Sequence, residues 1–188
     1  MKSIKNIKNI INRKSFIDFL IAIDNKKDLK EWSEVGGVFD FVRKILKKWE
    51  PDIVFDIGCG KRPTLGTMMA LNYPWDVISI DPKIDTNLCD NIHGIKLVKS
   101  KLSDFNDEYN IDHKYGLVLC NHSHVKENEI KELLEKFDDW VYITVPCCVD
   151  NTLKGKYCIN YIDEHMWTTK NKIYIYTKYD QLNIEDLY

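Results

Sequence analysis

A chain of 188 residues with 44% apolar and 30% charged residues has the balance of one packed globular domain, which excludes a disordered or fibrous protein. Its longest apolar stretch near the start, residues 16–23, is broken by Asp18 and falls well short of the roughly 20 residues a membrane span needs. No small-residue cleavage site follows that stretch, so neither a membrane anchor nor a secretory signal is expected. The net charge of −2 conceals an asymmetry: residues 1–50 carry 12 Lys/Arg and 7 Asp/Glu, whereas the remainder carries 15 and 22. The basic end suits a polyanion such as RNA, DNA or a membrane surface, although a lysine-rich solvated helix is the plainer reading.

Residues 3–23 place Ile4, Ile7, Ile10, Ile11, Ile17 and Leu20 at helical spacing. A polar break over 24–30 follows, then a second helix that begins near Glu31 or Val38, runs to Trp49 and is closed by Pro51. These helices form an N-terminal extension, residues 1–50, on a core of residues 51–188, within a single domain. In the core, short apolar runs at 53–57, 77–80, 96–98, 115–120 and 140–145 read as strands, with helices at 64–71 and 127–137. Near-continuous apolar strands alternating with helices imply a parallel sheet covered on both faces. The end differs: residues 166–169 and 173–177 read as a hairpin that adds an antiparallel strand to the sheet edge.

Six cysteines, Cys59, Cys89, Cys120, Cys147, Cys148 and Cys158, form no CxxC pair. A domain of this size needs no disulfide staples, so reduced thiols and a cytoplasmic location are expected.

The strongest motif is Val54-Phe55-Asp56-Ile57-Gly58-Cys59-Gly60, an acid at the end of a strand and then G-x-G. Glycines there allow a tight turn and close approach of a ligand. A dinucleotide fingerprint would carry a third glycine where Pro63 stands, and Asp56 would repel a pyrophosphate. Asp81 ends the second strand, 21 positions after Gly60, where a carboxylate can accept hydrogen bonds from both hydroxyls of a ribose. Ser103 and Asp104 follow the third strand. Asn121, His122 and His124 follow the fourth, and Cys147 and Cys148 the fifth.

Together these segments, over roughly residues 51–177, resemble the class I S-adenosylmethionine (SAM) dependent methyltransferases. The resemblance implies a Rossmann-like α/β fold, with strand order 3-2-1-4-5 and a C-terminal antiparallel strand, and SAM as cofactor. It implies that Asp56 reaches the amino-acid end of SAM, that Gly58, Cys59 and Gly60 line it, and that Asp81 holds the ribose. Asp104, beside Ser103, would meet the adenine amino group. Asn121, His122 and His124 lie where the family transfers its methyl, which makes them the catalytic candidates; either imidazole could serve as general base. The chain departs from the family's N/D-P-P-Y/F pattern, and Asn121 replaces the aspartate of 2′-O RNA methyltransferases. A catalytically inactive, methyltransferase-like scaffold therefore stands as the alternative. Lys61 and Arg62, directly after Gly60, suit a phosphate-bearing substrate, and with the basic N-terminal helix they favour a nucleic acid acceptor. The ends of the fourth and fifth strands are neighbours in this fold, so Cys120, His122, His124, Cys147, Cys148 and Cys158 could gather there as zinc ligands; they lack fixed metal-ligand spacing, so no metal is assigned and a buried, inert Cys147–Cys148 pair is the default reading. The sequence says nothing of oligomeric state.

Overall fold

The computed structural model describes residues 26–154, 158–164, 166, 169 and 171–178. The helix expected over residues 3–23 lies outside them. Helix α1 spans Lys26–Ile45, so the polar stretch expected to break the chain is already helical from Lys26. Its buried stripe is Val35, Val38, Phe39, Val42 and Ile45. Gly36 and Gly37 lie inside this helix. At Gly37 a Cβ would stand 2.4 Å from Met166 and 2.5 Å from Asp163, so the residue is small because another segment packs on the helix there.

The remaining elements are β1 (Ile53–Ile57), α2 (Thr64–Asn72), β2 (Asp76–Ile80), β3 (Ile95–Val98), α3 (Leu102–Glu108), β4 (Tyr115–Asn121), α4 (Glu127–Leu134), β5 (Asp139–Val145), β6 (Cys158–Ile162) and β7 (Lys172–Thr177). They build one seven-stranded sheet, ordered β3-β2-β1-β4-β5-β7-β6. The first five strands pair in parallel, in the order expected, and β7 joins β5 antiparallel. One expectation fails: the partner of β7 in the closing hairpin is β6 at Cys158–Ile162, not residues 166–169. Met166 instead turns back onto α1, its amide bonded to the Asp163 carbonyl, and its buried side chain joins the core. Trp167 and Thr168 lie outside the described residues.

Successive residues of each central strand face opposite sides, so the sheet is buried twice. Val54, Leu117, Leu119, Val141 and Ile143 pack with α1 and α2. Phe55, Ile57, Val118, Trp140 and Tyr142 pack on the other side with α3, α4 and Phe137. The chain reverses its winding between β1 and β4, and helices leave the two faces there. That reversal opens a crevice beyond the carboxyl ends of the strands. No helix among the described residues is long and apolar enough to cross a membrane.

Candidate cofactor site

The turn after β1 carries two glycines with positive φ, Gly58 at 67° and Gly60 at 73°. At Gly58 a Cβ would lie 2.1 Å from Ser123 Oγ, whereas nothing stands within 4 Å of one at Gly60. The first glycine closes the turn against the β4 loop, and the second leaves room for a ligand. Asp56 is buried, and its Oδ2 accepts hydrogen bonds from Gly66 N–H at 2.8 Å and from Ser79 Oγ at 3.3 Å. Helix α2 begins after Pro63, whose side chain caps nothing, so the Asp56 carboxylate supplies an acceptor to a free N–H of its first turn. Burial pushes the Asp56 carboxyl up to about 6, against the pull of the Gly66 and Ser79 hydrogen bonds. Cys59 also lines the turn, and burial, with Asp56 and Asp81 nearby, drives its thiol far above the ordinary range.

Cavities open on both sides of this turn. One, about 410 Å³, is walled by Asp81, Pro82, Ser100, Lys101, Leu102 and His124 among others. Asp81 Oδ2 accepts from Gly60 N–H at 2.9 Å and Oδ1 from Lys83 N–H at 2.7 Å. A carboxylate has about four acceptor positions, so two remain for a ligand. Ser103 and Asp104 line neither cavity; Ser103 Oγ donates to Asp104 Oδ1 at 3.1 Å on the outer part of α3. The wall on that side is formed by Ser100, Lys101 and Leu102 instead.

The other cavity, about 550 Å³, reaches from Asp56 and Gly58 to Asn121 and His122, and α1 closes it with Lys30, Glu31 and Glu34. Asn121 Oδ1 is buried there without a hydrogen-bond partner. His122 has φ 53°, a left-handed conformation unusual for a side chain of this size, and its Nε2 lies 3.1 Å from the buried Glu34 Oε1. Lys30 Nζ lies 3.5 Å from the same oxygen. Glu31 Oε1 accepts from Thr64 Oγ1 at 2.8 Å, tying α1 to the start of α2.

No protein-family model matches the chain, and no curated protein matches it. Solved structures do. A mutant of MtNAS in complex with S-adenosylmethionine aligns with TM-score 0.57 and 11% identity, over 93% of this chain and 70% of that one. MtNAS in complex with MTA and tNA gives 0.57 and 9%, over 93% and 68%. Magnesium protoporphyrin IX methyltransferase from Synechocystis PCC 6803 with bound SAM gives 0.54 and 12%, over 94% and 96%. The chain has the class I methyltransferase fold.

Within this methyltransferase fold, the residues at the crevice fit a nucleoside ligand with a charged tail. An open glycine, a carboxylate with free acceptor positions and an orphaned buried amide oxygen all face the two cavities. Of the three catalytic candidates, Asn121 lines the larger cavity, His122 lines both, and His124 stands on the wall of the smaller one. The cysteine pair is not buried: Cys148 is exposed and Cys147 half-buried. Cys120 faces the core and takes no part in the crevice. Sequence reasoning missed Glu34. Its signal was an acid one turn before Val38, on the stripe that Val38, Val42 and Ile45 otherwise keep apolar.

Proposed function

We propose that this chain binds SAM across the Gly58–Gly60 turn and transfers its methyl group to an acceptor, most favourably RNA or another nucleic acid, in the cytoplasm. The observation that carries the reading is the pair of cavities meeting at a positive-φ G-x-G turn, with Asp81 on one side, Asn121 on the other and His122 lining both. When bound, the sulfonium supplies an already activated methyl group, so the protein needs chiefly to position the two reactants. Asp81 holds the ribose hydroxyls through its unused acceptor positions. Asn121 Oδ1 accepts a donor of the ligand or of the acceptor. Glu34, whose Oε1 lies 3.1 Å from His122 Nε2, fixes the position of the imidazole at the cavity wall. The acceptor class rests on charge: the exposed Lys61 and Arg62 line the larger cavity, where Lys30 pairs with Glu34.

Calorimetry of the full chain with SAM and with its demethylated product tests the cofactor. Equimolar binding of both is expected. Asp81→Ala should weaken SAM binding by about 1–3 kcal/mol, the range for a hydrogen bond to a charged group. An unchanged affinity in that variant would remove Asp81 from the ribose contact. Absence of any binding to the wild type would sink the cofactor reading and leave the scaffold. Incubation with methyl-labelled SAM and separated RNA, DNA and protein fractions then tests the acceptor. Label is expected in a nucleic acid fraction, and label confined to protein would overturn that choice.

A further inference from the structure

We propose that His124, Cys147 and Cys148 form a binding site for zinc at the carboxyl edge of β4 and β5. Strands β4 and β5 run parallel and in register, with Asn121 opposite Val145, so their exits emerge side by side. His122 then turns into the left-handed region while its N–H donates to Val145 O at 2.9 Å, and Ser123 is buried beneath with its Oγ accepting from Val125 N–H. The turn carries His124 across to the segment after β5, where Pro146 leads into the two cysteines.

The donor geometry is that of a zinc site. Cys147 Sγ and Cys148 Sγ lie 3.8 Å apart, and His124 Nε2 lies 3.7 Å from the first and 3.4 Å from the second. Around a tetrahedral zinc with bonds of about 2.3 Å to sulfur and about 2.0–2.1 Å to nitrogen, two sulfurs stand about 3.8 Å apart and sulfur and nitrogen about 3.5–3.6 Å apart. The three atoms already occupy one face of that tetrahedron, with all of them within 4.8 Å of one another. Thiolate and imidazole donors select zinc over magnesium or calcium. Three protein donors make the group among the described residues, which suits an ion completed by water. Two thiolates and a neutral imidazole around zinc(II) make a site of zero net charge.

The test uses the full chain, reduced and stripped of metal. Zinc is titrated against a chromophoric chelator, and cobalt(II) is added in its place to read ligand field and thiolate charge-transfer absorption. One equivalent of zinc and a tetrahedral cobalt spectrum with thiolate charge-transfer bands are expected. Cys147→Ser, Cys148→Ser and His124→Ala should each weaken binding by about a hundredfold or more, exceeding the loss from an outer-shell change. His113→Ala, elsewhere on the surface, should leave it unchanged. No equimolar binding, an octahedral cobalt spectrum, or affinity retained in both serine variants would overturn the site. Circular dichroism checks that each variant is folded; His124 and Cys148 are exposed, so their variants decide even if Cys147→Ser misfolds. SAM calorimetry on Cys148→Ser keeps this inference apart from the proposed activity, because Cys148 lines neither cavity at the Gly58–Gly60 turn. SAM affinity in that variant should match the wild type.

Discussion

Gly66→Ala is expected to destabilise the fold by about 2–5 kcal/mol, as the sum of overpacking and a broken buried hydrogen bond, less the small helix-propensity gain. Gly66 sits in the first turn of α2, and a Cβ there would stand 2.1 Å from Ser79 Oγ and 2.8 Å from Asp56 Oδ2. Ser79 is fully buried and Asp56 almost so, so neither can swing out to water. The added methyl must push apart the three groups that join β1, β2 and α2. Gly36→Ala supplies the contrast. It too lies in a helix, but nothing stands within 4 Å of its Cβ. That change should stabilise by about 0.5–1 kcal/mol, through propensity and a less flexible unfolded chain. Urea unfolding of the two variants beside the wild type reads both signs. If Gly66→Ala unfolds within about 1 kcal/mol of the wild type, the packing of that junction has been misjudged.

Asp56→Asn is expected to be more stable than the wild type above pH 7, and to lose a pH dependence that the wild type shows in mild acid. Burial pushes the Asp56 carboxyl up from 3.8 to about 6 in the folded chain. Below about pH 4 the group is protonated in both states, and its contribution is fully present. Between about 4 and 6 the unfolded chain loses the proton first, so it binds fewer protons than the folded chain and stability falls as pH rises. Above about 6 the folded protein holds a buried anion, a loss of about 3 kcal/mol for a shift of this size. Asparagine keeps an acceptor for Gly66 N–H without the charge. Urea midpoints from pH 4 to 8 should fall with pH in the wild type more steeply than in the variant. Parallel profiles would show that Asp56 ionises in the folded protein as easily as in the unfolded one. SAM titration of the same variant asks separately whether the Asp56 charge serves the cofactor.

The alternation of apolar runs with helical segments determined the fold from sequence. Ile53–Ile57 and the strands after it are apolar on both faces, and only a sheet covered by helices on two sides buries such runs. The two glycines were legible for a similar reason: the backbone at Gly58 and Gly60 demands positive φ, a local requirement that residue type alone satisfies. The tertiary structure decided what depends on partners distant in the chain. Asp56 lines the larger cavity, and its Oδ2 is held by Gly66 and Ser79, which the fold brings beside it. Glu34 meets His122 because α1 folds over the end of β4, a contact 88 positions apart that no local spacing encodes. His124 reaches Cys147 and Cys148 because parallel strands deliver their exits together, whereas metal motifs legible in sequence place their ligands along one turn or one loop. The hairpin partner of β7 was misplaced for the same reason. Residues 166–169 are β-prone by composition, but Gly37 opens a socket on α1 for Met166, and burial there outweighs strand propensity.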